Sequence, residues 1–278
     1  MKRKLLAIVA AALVTLPLAA CVTTGATSGG NGGSDTITIG IKFDQPGLGL
    51  RQGNSYAGFD VDVAKYVAKE LGYSEDKITF KEAQSAQRET LISSGQVKLV
   101  FATYSITDTR KQQVSFAGPY FVAGQDLLVK SDNTDITGPD KLTGKKLCSV
   151  TGSTPAENIK KKYPQVQLQN YDTYSKCVQA LSTGAVDAVT TDDTILAGFA
   201  AQDQYKGKIK VVGAPFTTEH YGVGLKKGDV DTCNKVNTAL KKMIDDGSWQ
   251  KAVDSNLGAS GYKPNAANNP PKTFDPCS

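Results

Sequence analysis

One histidine, one tryptophan and two methionines are all that 278 residues contain of those types. A lone histidine, His220, excludes a histidine-rich metal centre, and no paired nucleophile accompanies it to make a hydrolase site. Charge of one sign is scarce: 32 Lys and Arg stand against 27 Asp and Glu. Three of the positive charges, Lys2, Arg3 and Lys4, sit at the amino terminus. Without them about +2 remains, with the lysines scattered, which is no nucleic-acid signature. After residue 20 there is no apolar run long enough to cross a bilayer. No cofactor and no metal are expected.

What is present begins at the ends. The basic residues 2–4 lead into an apolar run over 5–20, which closes in Leu18-Ala19-Ala20-Cys21. That tetrapeptide matches a bacterial lipobox, so residues 1–21 read as a lipoprotein signal peptide with Cys21 as the lipid attachment. Residues 22–34 are small and polar after Val22 and read as a flexible linker. The protein is expected to be exported and tethered by lipid to the extracellular face of the cytoplasmic membrane. The roughly 240 remaining residues suffice for one large or two modest domains.

With Cys21 assigned to lipid, four of the five cysteines remain: Cys148, Cys177, Cys233 and Cys277. An even number in an oxidising compartment reads as disulfides, and four cysteines allow three pairings. A strand carrying Cys148 and a helix packed on it carrying Cys177 favour that pair. The pair Cys233–Cys277 would then pin the C-terminal tail to a helix.

The chain alternates strand and helix, so the fold class is α/β with mainly parallel sheets. Asp60 reads as the N-cap of a helix over 61–71, with Val63, Val67 and Leu71 at helical spacing and Gly72 as the stop. Strands are expected at 36–41, 78–80 and 97–102, with a helix over 87–94. The pattern then restarts with strands at 147–150, 166–168 and 186–189. Thr154 reads as the N-cap before Pro155, and a second helix spans 174–183. Residues 95–102 and 184–191 parallel one another: each is a helix stop, a buried strand and a polar loop. Ligands in open α/β sheets bind at such carboxyl ends.

One of those loops carries most of the chemistry. The segment 100–121 reads VFATYSITDTRKQQVSFAGPYF. Thr103 and Ser105 follow the strand, Thr107-Asp108-Thr109 starts a helix, and Arg110 lies in its first turn. Hydroxyls, backbone N–H groups and a guanidinium at one strand end make a site for a carboxylate. At the other strand end stands Thr190-Thr191-Asp192-Asp193, where one carboxylate can face a cleft and the other cap a helix.

The 100–121 segment resembles solute-binding protein family 3, the amino-acid-binding proteins of ABC importers, and the resemblance runs from about residue 37 to 261. The lipobox and the disulfides resemble the actinobacterial glutamate-binding lipoproteins of that family. The resemblance implies a two-lobed periplasmic-binding-protein-like fold of type II, joined by two crossing strands at 126–130 and 221–225. Lobe one is then 35–128 with 222–278, and lobe two is 129–221. It implies that Arg110, with Ser105 and the Thr103 backbone, grips an α-carboxylate, and that Asp192, rather than Asp193, pairs with the ammonium. Arg88 and Lys42 resemble the positions that hold the distal carboxylate in acidic-amino-acid binders. Thr151, Ser153 and Thr154 add hydroxyls and a helix start from the opposite lobe. Three cations against one carboxylate complement a ligand of charge −1, glutamate or aspartate. Tyr174 also stands near this pocket, and Phe43 and Tyr56 are candidates for its floor. One residue departs from the family pattern: Lys98 stands where an acid is usual, while its lobe-two counterpart is Asp187.

The resulting expectation is a monomeric binding protein, not an enzyme, that delivers glutamate to ABC permease subunits. Two other classes have needs that the sequence does not meet. A dehydratase of this fold needs a general acid in the cleft, and the one placed there, Asp192, is claimed by the ammonium. A receptor's sensor domain would be followed by a transmembrane or kinase segment, and none follows here.

Overall fold

The computed structural model describes residues 36–278. The signal peptide, Cys21 and the 22–34 linker lie outside the described residues. Two five-stranded sheets share one plan. In the first, Ile78–Glu82, Ile37–Ile41 and Leu99–Phe101 run parallel, and Glu219–Lys226 and then Val114–Ala123 complete it, each antiparallel to its neighbour. In the second, Gln167–Tyr171, Lys146–Val150 and Ala188–Asp192 run parallel, followed by Gln125–Lys130 and Ile209–Val211. Val114–Ala123 lies in the first sheet and Gln125–Lys130 wholly in the second, and the chain is back in the first sheet from Glu219. It therefore crosses at Gly124 and before Glu219 rather than within 126–130 and 221–225. A small three-stranded sheet, Asp44–Gln45, Gly49–Gln52 and Ser55–Ala57, flanks the first lobe.

Burial on both faces explains the short continuous apolar strands. Leu99, Val100 and Phe101 are all fully buried, as parallel strands covered by helices require. The helix Phe59–Glu70 lays Phe59, Val63, Ala64 and Val67 against the first sheet. Trp249 fixes the last helix, Ser248–Leu257, into the same core. Its ring stacks on Phe121 at 6.1 Å and meets Phe59 edge-on at 5.8 Å, while Nε1 donates to the Tyr120 carbonyl at 2.8 Å. The helix Tyr174–Thr183 ends at Gly184, which takes the left-handed conformation that glycine adopts without strain.

Two helix starts differ from the expectation. The first helix begins at Phe59 with Gly58 as its N-cap, so Asp60 lies inside the first turn. The helix Thr154–Lys162 is capped one residue earlier than expected, by Ser153, whose hydroxyl accepts from Ala156 N at 3.2 Å. Lys98 lies on the surface with Nζ 3.3 Å from Asp229, the N-cap of the helix Val230–Asp245, while Asp187 accepts from Lys146 N at 2.7 Å.

The structure joins Cys148 to Cys177 and Cys233 to Cys277, with Cα separations of 5.6 and 5.8 Å. The first ties a strand of the second lobe to the helix above it. The second ties the helix Val230–Asp245 to the C-terminal segment. Native disulfides of this kind contribute about 2–4 kcal/mol each. Among the described residues no helix is long and apolar enough to cross a membrane.

Candidate functional site

The strand Leu99–Phe101 leaves its sheet into Ala102-Thr103-Tyr104-Ser105. Thr103 takes φ = 44°, a left-handed conformation that costs a non-glycine residue about 1–2 kcal/mol. Asp60 holds it there. One carboxylate oxygen accepts from Thr103 N at 2.9 Å and the other from the Tyr120 hydroxyl at 2.8 Å. Burial pushes the Asp60 carboxyl up to about 6 against these two hydrogen bonds. This corrects one expectation. The Thr103 backbone N–H is not free to grip a carboxylate, because Asp60 takes it. The Thr103 hydroxyl donates to the Ala102 carbonyl at 2.8 Å.

Two guanidinium groups lie against the Tyr104 ring of this turn. The Arg88 carbon lies 4.1 Å and the Arg110 carbon 5.0 Å from the ring centroid. Arg88 is 2 % exposed and donates to the carbonyls of Ser85, Ala102 and Gly152 at 3.2, 3.0 and 3.3 Å. Arg110 donates to Ser105 O at 2.7 Å and Gly152 O at 3.0 Å, with Glu89 3.4 Å from its Nε. Burial, then the neighbouring Arg110, lowers Arg88 to about 10. Lys42 is buried behind Ser85 and donates to its hydroxyl at 2.8 Å. Burial first, then Arg88, bring Lys42 down to about 7, while Asp44 and Glu82 raise it. Among the described residues no carboxylate stands within 4.0 Å of Lys42 or Arg88.

The second lobe answers with Asp192, the last residue of the strand Ala188–Asp192. It is 2 % exposed, and its Oδ2 accepts from the Tyr221 hydroxyl at 2.6 Å. Its Oδ1 is buried without a hydrogen-bond partner among the described residues. Burial, then the nearby Glu219, push this carboxyl well above the usual range. Asp193 points elsewhere: its Oδ1 accepts from Gly124 N, Thr194 N and the Tyr262 hydroxyl. Thr154 bridges the lobes, with its hydroxyl 3.1 Å from Ser105 Oγ and 2.8 Å from a carboxylate oxygen of Glu219.

Between the lobes lies a very small cavity of ≈ 10 Å³, about the room of one water molecule. Ser85, Arg88 and Thr103 line it from the first lobe. Ser153, Thr154, Tyr174, Thr191 and Asp192 line it from the second. Lys42, Ser105 and Arg110 stand one layer behind. Thr151 is not brought in: it is exposed, and its N–H bonds to Tyr171 O. The rings of Phe43 and Tyr56 meet at a 43° tilt with centroids 5.1 Å apart, beside the flanking sheet and outside the cavity lining. His220 is exposed on the strand Glu219–Lys226. A larger groove on the outer helices, lined by Lys65, Tyr66 and Met243 among others, contains no buried charge.

The charge count read from the sequence also needs correcting. Asp60 and Glu219 are buried beside the same cavity, so the carboxylates around it number more than one. Sequence reasoning missed both, although Asp60 lies three residues before Val63 on the helix's apolar stripe, where a carboxylate is out of place.

The lobes meet without clearance at two glycines. A Cβ on Gly198 would stand 2.1 Å from the Pro46 carbonyl oxygen. Gly152 has φ = +76°, and a Cβ there would lie 2.7 Å from the Ala86 Cα. From the first lobe, Asp44 also accepts from Ser175 N, in the first turn of the helix Tyr174–Thr183, at 3.0 Å.

Residues 37–259 match the family described as bacterial extracellular solute-binding proteins, family 3. The chain belongs to that family. This solute-binding protein is 48% identical over 265 residues to the glutamate-binding protein GluB of Corynebacterium glutamicum, spanning 90% of this chain and 88% of that one. It is 37% identical over 220 residues to the ABC transporter glutamine-binding protein GlnH of Bacillus subtilis, spanning 78% and 80%. A solved ancestral arginine-binding protein bound to glutamine shares its fold with a TM-score of 0.75 and 35% identity, spanning 81% of this chain and 98% of that one. The family and the two-lobed α/β fold are those read from the 100–121 segment. Each of these relatives is named for an amino acid that it binds.

Proposed function

We propose that this solute-binding protein captures an acidic amino acid, glutamate in the first place, between its lobes and delivers it to an ABC permease. The observation that carries the reading is the pairing of unmet needs across the cavity. Asp192 Oδ1 is buried and lacks a donor, while Arg88 and Lys42 are buried and lack a carboxylate. A ligand with an ammonium at one end and a carboxylate at the other meets both. In this reading Asp192 takes the ammonium and Arg110, with Ser105, takes the α-carboxylate in place of the Gly152 carbonyl. Arg88 and Lys42 take the distal carboxylate, and Ser153 and Thr154 close over it from the second lobe. Contacts from both lobes favour the closed arrangement, and a ligand shifts the equilibrium by its differential affinity for it. The likeness to the glutamate-binding protein GluB supports the choice of ligand. The lipobox supports a lipid anchor at Cys21, which would keep the domain beside its permease.

Lys42 provides the test. Its ammonium is half lost near pH 7, because burial and Arg88 disfavour the charge. A distal carboxylate restores it, so glutamate binds the protonated lysine and glutamine gains nothing from it. Affinity for glutamate relative to glutamine should therefore fall by about tenfold as pH rises from 6.5 to 8.5. Asp192 serves the ammonium of both ligands, so its own titration cancels in the ratio. Calorimetric titration of both ligands across that range measures it. A ratio that does not change with pH would remove Lys42 from the ligand site.

A further inference from the structure

Asp193 stands next to the carboxylate proposed to take the ligand's ammonium, yet it serves the junction between the lobes. Its N–H donates to the Gly124 carbonyl at 2.8 Å, and its Oδ1 accepts from Gly124 N at 3.2 Å. Gly124 separates Val114–Ala123 from Gln125–Lys130, so Asp193 clasps the chain where it passes from one lobe to the other. The same oxygen accepts from Thr194 N at 2.7 Å, at the start of the helix Asp193–Ala200. A third donor comes from the C-terminal segment: the Tyr262 hydroxyl, at 3.1 Å.

Tyr262 reaches Asp193 from chain that is fastened to the first lobe. Its ring lies 6.5 Å from that of Phe121. Farther on, Asn269 bonds to both Val122 N at 3.0 Å and Val122 O at 2.8 Å. The disulfide from Cys277 to Cys233 closes the strap. The family match ends at residue 259, so Tyr262 lies beyond the stretch shared with the family model.

We propose that Tyr262 is a positioning residue for ligand capture: its hydroxyl steadies Asp193, and through Asp193 both the placement of Asp192 and the closed arrangement of the lobes. Burial pushes the Tyr262 hydroxyl up, with Asp193 adding to it, so it stays a donor at neutral pH. The bond joins the first lobe's C-terminal strap to the second lobe beside the Gly124 junction, so without it the closed arrangement is less firmly held. Its removal should therefore act on ligand release more than on capture. The inference rests on the cleft being the ligand site, and one arm of the test does not need a ligand.

The test compares Tyr262→Phe with wild type by stopped-flow binding of L-glutamate and by amide hydrogen exchange of the ligand-free protein. Tyr66→Phe is the control, since it deletes a Tyr–Asp bond to Asp246 on the outer helices. Tyr262→Phe should speed glutamate release about 3- to 10-fold and change association by less than about twofold. Exchange at Gly124 and Thr194 should quicken by a similar factor, with the strand Leu99–Phe101 unchanged and Tyr66→Phe like wild type in both assays. Unchanged release, or equal acceleration in Tyr66→Phe, overturns the inference. If the wild type binds no glutamate, the ligand reading fails by itself, and exchange at Gly124 and Thr194 decides the role of Tyr262.

Discussion

Asp192→Asn should lose affinity for every amino acid the protein binds, by about 2–5 kcal/mol, or roughly 30- to 4,000-fold. The amide keeps the size of the side chain and can still accept from the Tyr221 hydroxyl, which lies 2.6 Å from the carboxylate. What it removes is the charge that a buried ammonium needs. The same substitution should not weaken the ligand-free fold at pH 7. The folded-state pKa of Asp192 is raised above its unfolded value, chiefly by burial. Any stability that its protonated form contributes is full below the unfolded pKa and lost as pH rises through the folded value. At pH 7 the neutral amide avoids that loss. Calorimetry for binding and thermal melting for stability together separate a ligand contact from a structural one. Falling affinity with a steady or raised melting temperature is the expected pair of results. Parallel losses in both would make Asp192 a structural residue.

Arg88→Gln should divide ligands by their distal group. Glutamate loses a charge-assisted partner for its side chain, about 2–4 kcal/mol, while glutamine, with a neutral amide, loses little or gains. Arg88 also donates to the carbonyls of Ser85, Ala102 and Gly152, so the variant disturbs the cleft for any ligand. The ratio of glutamate to glutamine affinity cancels that shared effect. Titrations at two salt concentrations remove any purely long-range attraction, which screens away over about 10 Å at 0.1 M. Equal losses for the two ligands would mean that Arg88 supports the turn at Thr103 and does not read the distal carboxylate.

Local patterns carried most of the fold. Glycine stops, short apolar strands and the T-x-S-I-T-x-x-R segment placed the parallel strands, the helix Tyr174–Thr183 and the N-cap Thr107, whose side chain accepts from Arg110 N at 3.2 Å. What stayed hidden depends on contacts far apart in the chain. Asp60 bonds to Thr103 and Tyr120, 43 and 60 residues away, and nothing local distinguishes that role from a helix cap. Tyr221 and Glu219 surround Asp192 because the returning strand passes beneath it, which depends on lobe packing. Gly152 offers a carbonyl oxygen to two arginines, and backbone acceptors of this kind leave no trace in residue identity. Gly198 lies inside the helix Asp193–Ala200, and its contact with Pro46 of the other lobe explains the absent side chain.

A calorimetric screen of the wild-type protein against the twenty amino acids at pH 7 tests the central claim most directly. The pairing of Asp192 with Arg88 and Lys42 across the cleft predicts L-glutamate as the tightest ligand. Aspartate should be weaker because its shorter side chain spans less of the cavity. Glutamine should be weaker by about tenfold or more, the worth of one charge-assisted hydrogen bond. Arginine and lysine should not bind, since a second positive charge would face Arg88 and Lys42. Tightest binding of glutamine or of a basic amino acid would contradict the claim that the cleft is built for an acidic ligand.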